Sequence, residues 1–411
     1  MEMKNRTTLL SAALLAALNF ALLSAPSLAS NCNQTSVSKT PINDLGAGLY
    51  LNQFQGGLYP NGVNDVPAAH AAVGVSRAHG IQPLNLQGQP SPTGRYVLLS
   101  IGMSNTTQEF CSQNSALPCD PWTFMGQAAI NPNVNHDTLA IVNGAAGGQA
   151  ALSWDSPADL NYDRVRDTRL IPQGLSEAQV QAVWVKEANI SPTVSLPNAN
   201  ADAYALEASL GNIARAIKVR YPNVKLVFFT SRIYAGYAST NLNPEPYAYE
   251  SAFAIKWLIE AQINQMASGG TTIDPVAGDL NYDAGSAPWL AWGPYPWADG
   301  LTPRSDGLIW QCADLQSDGT HPSMSGEQKI GAMLLDFMLT SPFAAPWFHA
   351  PLPGDVNNDG VVNADDLLMV INHWGQCPPP PQSCPPDIAP PPDGNGVVNV
   401  DDLLMVINHW G

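Results

Sequence analysis

Apolar residues follow two rhythms along this chain. Short continuous runs at 96–101, 138–142, 182–185 and 224–230 have the length of strands buried on both faces and are rich in β-branched and aromatic residues. Elsewhere the apolar positions recur at helical spacing. Leu206, Leu210, Ile213 and Ile217 form one such stripe that stops at Pro222, a second covers 249–266, and Ile330, Met333, Leu334 and Phe337 mark a third within 326–339, where Ser325 and Gln328 are spaced as a capping box. The alternation predicts an α/β domain, a parallel sheet covered by helices. Residues 30–94 are rich in Gly, Asn, Gln and Pro and show little periodicity, which predicts a loop-rich extension packed on that domain or closing over it as a lid.

The two ends of the chain break the pattern. Lys4 and Arg6, an apolar run over 9–23 and then Ser27-Leu28-Ala29 predict a signal peptide over 1–29 and an exported protein, secreted or held at the cell surface. Asn31 precedes Cys32 where a lipoprotein signal takes a small residue, so no lipid anchor is expected; no later apolar stretch has the length of a membrane span. At the other end, VVNADDLLMVINHWG over 361–375 returns as VVNVDDLLMVINHWG over 397–411, a direct repeat joined by a Pro-rich stretch. The plan is therefore a leader (1–29), an extension (30–94), a main domain (95–350) and a duplicated tail (351–411).

The tail carries metal-binding spacing. Asp355, Asn357, Asp359, Asn363 and Asp366 occupy positions 1, 3, 5, 9 and 12 of a loop with Gly360 at position 6, and the Val361 carbonyl falls at position 7. Alternating hard oxygens of this kind can converge on one Ca2+. The second copy offers Asp387, Asp393, Asn395, the Val397 carbonyl, Asn399 and Asp402, with extra residues, 390–392 among them, intruding on the spacing. Leu367, Val370, Ile371 and Trp374 then predict a helix face that buries against its twin. A loop followed by one helix, Asp at position 12 and duplication within the tail resemble a type I dockerin over 354–411. The resemblance implies a small all-α, EF-hand-like calcium module that docks to a cohesin-like or envelope partner.

Charge and cysteines narrow the rest. There are 34 acids against 17 bases, a net charge of −17, and the bases do not cluster, which argues against a nucleic-acid partner. Six cysteines without a CxxC pair, in an exported chain, favour disulfides. Cys111 with Cys119 and Cys377 with Cys384 are the simplest local pairs, leaving Cys32 with Cys312; all fifteen connectivities stay open.

Candidate chemistry gathers at strand ends. Ser104 follows the first strand in Gly-Met-Ser-Asn, where a turn into a helix exposes a hydroxyl among backbone N–H groups; the same position suits a helix N-cap. Asp318-Gly-Thr-His321 puts a carboxylate and an imidazole on one loop before the last helix, able to serve as orienter and base for Ser104. Asn143-Gly-Ala-Ala-Gly147-Gly148 follows the second strand and Glu187-Ala-Asn189 the third, offering backbone and amide donors for an oxyanion.

That order, with no GxSxG, resembles the SGNH or GDSL hydrolases over 96–339. It implies a three-layer, flavodoxin-like sheet with Ser104 as nucleophile, Gly148 (or Gly147) and Asn189 as oxyanion donors, His321 as base and Asp318 as its orienter. Met103 stands where many members carry Asp, and Glu-Ala-Asn-Ile replaces Gly-x-Asn-Asp. The Gly-x-Ser-Asn form looks more like the carbohydrate acetylesterase branches. The implied protein is a serine carboxylic-ester hydrolase acting on acylated carbohydrate, with no catalytic cofactor. A lipase or arylesterase of the same fold and a catalytically silent surface-binding protein are the alternatives. Trp289, Trp292, Tyr295 and Trp297 form an aromatic, Pro-rich loop suited to packing or to sugar stacking, and Arg232 is expected to sit in a structural ion pair, with substrate contact as the alternative.

Overall fold

The computed structural model describes residues 29–112, 117–357, 359–379, 384–391 and 394–411. The expected leader, apart from its last residue, and the expected ligand Asp393 lie outside the described residues.

Five strands form the central sheet: β1 (Tyr96–Gly102), β2 (Leu139–Asn143), β3 (Val180–Lys186), β4 (Leu226–Phe229) and β5 (Trp289–Trp292). All neighbours are parallel and the order is β2-β1-β3-β4-β5, a flavodoxin-like doubly wound sheet. Every residue of β1 and β3 is buried, as a strand covered on both faces requires. The longer helices outside the tail are α1 (Ala68–His79), α2 (Ser104–Phe110), α3 (Phe124–Ile130), α4 (Asp202–Arg220), α5 (Tyr247–Ala267) and α6 (Met324–Thr340). The helix α4 packs on α5, while α2 and α3 pack on α6, completing the three-layer α/β architecture.

Four strands and the last three of these helices lie where the hydrophobic rhythm places them. The fifth strand does not. Trp289 and Trp292 belong to β5, and Trp289, Trp292, Tyr295 and Trp297 are all at most 5% exposed, which removes them as a sugar-stacking loop. A four-residue strand in the stretch between Pro288 and Pro294 is too short for a period to show. In α6 the expected capping box is also absent: Ser323 is the N-cap, and the Ser325 hydroxyl donates to Asp314 Oδ1 at 2.8 Å.

The extension is more ordered than its composition suggests. Its helix α1 is built from small residues, so no apolar stripe announces it. Gly74 lets it approach β5 closely: a Cβ there would lie 2.4 Å from the Trp289 ring. His70 stacks on that ring at 4.8 Å and engages the Leu290 carbonyl through Nε2 at 2.8 Å. Cys32 is joined to Cys312, Cys111 to Cys119 and Cys377 to Cys384, so the first bond ties the extension to the main domain.

One buried charge pair pins the sheet to a helix. Lys186 Nζ, at the end of β3, donates to both carboxylate oxygens of Glu109 in α2 at 2.6 Å, and neither side chain is exposed. Burial pulls Lys186 down to about 8, and the Glu109 carboxylate opposes that shift.

In the tail, α7 (Ala364–Asn372) and α8 (Val400–Asn408) pack together around Val356, Val362, Val370, Val398 and Val406. Val370 is fully buried and Leu367 packs against this core, but Ile371 is 49% and Trp374 54% exposed, with Ile407 and Trp410 alike. The expected burial of Ile371 and Trp374 is thus not observed, because α7 ends at Asn372 before a 0, 3, 4, 7 face is complete.

Removing one partner of the Lys186–Glu109 pair strands the other in the core. Glu109→Ala is expected to lower the unfolding free energy by about 3–5 kcal/mol in urea denaturation, and Glu109→Leu combined with Lys186→Met to recover most of that loss.

Candidate active site

The carboxyl ends of β1 and β3 flank the point where the strand order reverses, and this is where the expected residues meet. Ser104 is the first residue of α2, directly beyond β1. Its hydroxyl does not cap the helix but lies 2.8 Å from His321 Nε2. His321 Nδ1 lies 2.6 Å from Asp318 Oδ2, while Asp318 Oδ1 accepts the backbone N–H groups of Thr320 and His321 at 2.9 and 3.1 Å. Burial alone raises the Asp318 carboxyl, but these three donors outweigh it and hold it at about 2. An ionised Asp318 keeps the proton on Nδ1 and leaves Nε2 as the acceptor for the Ser104 hydroxyl.

The Asp318–His321 loop is held rigidly. Gly319 has φ +65° and sits where a Cβ would lie 2.0 Å from the Tyr237 carbonyl, so glycine is required. The Asp318 carbonyl accepts the Ser239 N–H at 3.0 Å, and the hydroxyls of Thr240 and Thr320 meet at 2.7 Å. Asn105, next to Ser104, donates its amide to the Thr320 carbonyl at 3.0 Å. It was not singled out as a site residue, and its place beside Ser104 in Gly-Met-Ser-Asn was the available signal.

These side chains open on a cavity of about 280 Å³, whose wall includes Met103, Gly148, Ala150, Ala188, Asn189, Ile190, Arg232 and Leu242. No residue of 30–94 lines it among the described residues. Gly148 has φ +75° with nothing within 4 Å of a Cβ there, and among the described residues its N–H has no acceptor. A Cβ on Gly147 would lie 3.9 Å from that of Ser104, but only Gly148 lines the cavity. Asn189 lines it too. Its amide is turned to Asp202, donating to Oδ1 at 3.2 Å, and its own Oδ1 is buried without a partner.

Three buried ionisable side chains, one in the cavity wall and two near it, differ from what the sequence suggests. Arg232 is 1% exposed and forms no ion pair among the described residues; its Nε and Nη2 are buried there without hydrogen-bond partners. The expected structural ion pair is therefore not made. Glu109 and Glu187 are the other two. Both oxygens of Glu187 are buried without partners, and burial pushes its carboxyl far above the usual range. Buried acids carry no periodic signature: nothing in the sequence marked Glu109, and the one signal at Glu187 was its place in Glu-Ala-Asn-Ile where Gly-x-Asn-Asp is usual.

The tail loops gather their donors in matching ways. The fully buried Asp366 accepts the N–H groups of Val356, Asn357 and Asn363 at 2.8–3.1 Å, and Asp402 accepts those of Ile388, Ala389 and Asn399 at 2.7–2.8 Å. Asp355 accepts the N–H of Gly360 at 2.8 Å, and Asp387 that of Gly396 at 2.7 Å. The inserted residues thus leave positions 1 and 12 of the second loop equivalent to those of the first. Asn363 and Asn399 cap their helices. Asn357 donates to Asp359 at 2.9 Å, and the Val361 and Val397 N–H groups bond to Asp359 and Asn395 at 3.0 Å. Burial, then repulsion from Asp366 and Asp359, pushes Asp355 up to about 6. An oxygen-rich donor set short of positive charge fits a hard divalent cation.

Fold and site together define a doubly wound α/β domain with a Ser-His-Asp hydrogen-bonded chain at its switch point, followed by a duplicated loop-helix tail. Within that tail, residues 353–388 match the dockerin type I domain. No curated protein matches the chain. Among solved structures, the chain is similar to the salicylyl-acyltransferase SsfX3 from a tetracycline biosynthetic pathway (13% identity, 59% of this chain and 54% of that one, TM-score 0.29). It is also similar to an extracellular lipase from Streptomyces rimosus (12%, 58% and 97%, TM-score 0.28). A third is a carbohydrate esterase family 2 enzyme with a carbohydrate binding domain from Corynascus thermopiles (Myceliophthora fergusii) (14%, 60% and 66%, TM-score 0.30). The chain thus spans about half the length of the first of these. No described helix is long and apolar enough to cross a membrane.

Glu187 supplies a test of the electrostatics. Its folded-state carboxyl titrates far above its unfolded value, so the folded protein holds a proton that the unfolded chain releases above about pH 4.5, and stability falls as pH rises. Glu187→Gln should flatten that fall. The variant is expected to gain stability over the wild type progressively between pH 5 and 9 in thermal melts, and a constant difference would rule out a buried neutral acid.

Proposed function

We propose that this protein is an exported serine carboxylic-ester hydrolase that removes short acyl groups from carbohydrate. The observation that carries the reading is the Ser104 Oγ–His321 Nε2–Asp318 chain, at 2.8 and 2.6 Å, opening on a cavity. His321 Nε2 takes the Ser104 proton as Oγ attacks the ester carbonyl carbon. The tetrahedral oxyanion is held by the N–H groups of Ser104 and Gly148 and by the Asn189 amide, and it collapses as His321 returns the proton to the leaving alcohol. Water, deprotonated by His321, then attacks the acyl-enzyme and releases the acid and free Ser104. For Asn189 to contribute, one of its two amide protons stays with Asp202 while the other serves the oxyanion.

Cavity size favours a short acyl chain. The cavity of about 280 Å³ sits at the lower end of the ~300–1,000 Å³ of drug-sized ligand sites, with Met103, Ala150, Ala188, Ile190 and Leu242 as its apolar wall and Asn105, Asn189, Arg232 and Asn243 among its polar lining. An acetyl group fits this better than a lipid chain. The working unit is residues 95–350, with 30–94 as a structural extension and 351–411 as a docking module for a cohesin-like or envelope partner. In that module Asp355, Asn357, Asp359, Val361, Asn363 and Asp366, and their counterparts in the second copy (Asp387, Asp393, Asn395, Val397, Asn399 and Asp402), would hold one Ca2+ each. Bound there, Ca2+ would neutralise the clustered carboxylates and stabilise the fold of the tail.

Hydrolysis of 4-nitrophenyl esters tests the chemistry. Acetate should turn over at least about tenfold faster than octanoate; Ser104→Ala should lose about 10⁴-fold or more in kcat; Asn189→Ala should lose about 10²–10³-fold without a change in melting. Ser104→Ala turnover equal to wild type would sink the serine mechanism. Calcium is tested separately: EDTA should unfold the tail, seen as loss of its helical circular dichroism and as faster proteolysis after residue 350, while aryl acetate turnover stays within about twofold.

A further inference from the structure

A second recess, of about 370 Å³, lies between α4 and α5 and shares no residue with the cavity at Ser104. Its wall is aromatic. Tyr204 of α4 stacks on Trp257 of α5 at 5.0 Å with 15° between the ring planes, and Phe54 of the extension meets Trp257 at 5.7 Å. All three rings are half-buried, whereas most aromatic residues of the main domain are fully buried.

Glu207 lies in the same recess and is 4% exposed, yet among the described residues no hydrogen bond or ion pair engages its carboxyl. The charged groups facing it are Asp274, from the loop after α5, and Glu260 of α5. Glu260 is paired with Lys256 one turn back, and Asp274 Oδ1 accepts the N–H groups of Val276 and Ala277 at 2.7 and 2.9 Å. Burial first, then Asp274 and Glu260, push Glu207 up to about 8. At neutral pH it therefore keeps its proton and can donate one hydrogen bond while accepting others. With Glu207 neutral and Glu260 paired with Lys256, Asp274 is the remaining carboxylate of the recess, its Oδ1 already held by two N–H groups, and Glu207 is the group left to engage hydroxyls.

We propose that this recess is a sugar-binding subsite, in which the C–H face of a pyranose packs on the aromatic wall and Glu207 hydrogen-bonds its hydroxyls. It gives a polysaccharide a second point of attachment away from Ser104, and it rests on the acylated-carbohydrate reading for its ligand class. Among the described residues no protein group engages the Glu207 carboxyl, and it lies on the wall of the recess, so its hydrogen-bonding capacity is open to such hydroxyls.

Calorimetric titration of full-length Ser104→Ala protein with neutral hexasaccharides (xylohexaose, cellohexaose and mannohexaose) tests this without turnover. At least one should bind at pH 6.5, and Glu207→Ala or Tyr204→Ala added to that protein should weaken it about tenfold. Affinity should fall as pH rises through about 8, and Glu207→Gln, a permanently neutral donor and acceptor, should bind at pH 6.5 and lose the pH dependence. Urea midpoints check that each variant is folded, and Glu207→Gln keeps the test open if the alanine variants are not. The proposal is overturned if no hexasaccharide binds, if binding survives both alanine changes, or if tetramethylammonium binds instead with affinity rising above pH 8. Failure of the hydrolase reading would appear elsewhere, as absent aryl acetate turnover in the wild type.

Discussion

The buried contact between Lys186 and Glu109 constrains more of this molecule than any other single interaction. Lys186 is the last residue of β3 and Glu109 lies in the helix that Ser104 begins, so their pairing holds α2 against the centre of the sheet. Both lips of the cavity follow from it. Ser104 lies five residues before Glu109, and Glu187, Ala188 and Asn189 come directly after Lys186. A charge pair with no exposure is a poor source of stability compared with apolar packing, because desolvation offsets most of its attraction. Its value here is positional, since only one placement of α2 satisfies both charges.

Around that pair the site accumulates polar groups that the fold leaves short of partners. Arg232, Glu187 and the Oδ1 atoms of Asn189 and Asn243 are buried with unmet hydrogen-bonding capacity, against a background in which buried polar atoms are nearly always satisfied. Arg232, Asn189 and Asn243 line one cavity, where the sheet and helices hold them in place at a cost. Asp318 is the opposite case: three donors converge on it, and its charge is secured well into acid conditions. The contrast explains how the loop carrying His321 stays ordered while the ground behind the cavity remains electrostatically tense.

The tail achieves order by a different route. Its apolar core is a handful of valines, and each helix is only nine residues long. Asp366 and Asp402 act as internal hubs, each collecting three backbone N–H groups from its loop. Because the hub is a side chain gathering backbone donors, residues can be inserted elsewhere in the second loop without moving its ends. That leaves Ile371, Trp374, Ile407 and Trp410 as a duplicated exposed apolar surface.

By itself the sequence determined the α/β class, four of five strands, the three long helices of the main domain, the repeat, and the chain positions of Ser104, Asp318 and His321. Each of these is written in local periodicity or in residues a few positions apart. Tertiary structure alone decided that Trp289 and Trp292 close the sheet, that the small-residue stretch 68–79 is a helix against Trp289, and that Asn189 turns to Asp202. It also decided that Arg232 lines the cavity without an ion pair among the described residues and that Lys186 has Glu109. The physical reason is common to all of them: burial and pairing between residues tens or hundreds of positions apart depend on which surfaces meet, and no local pattern of side chains records that.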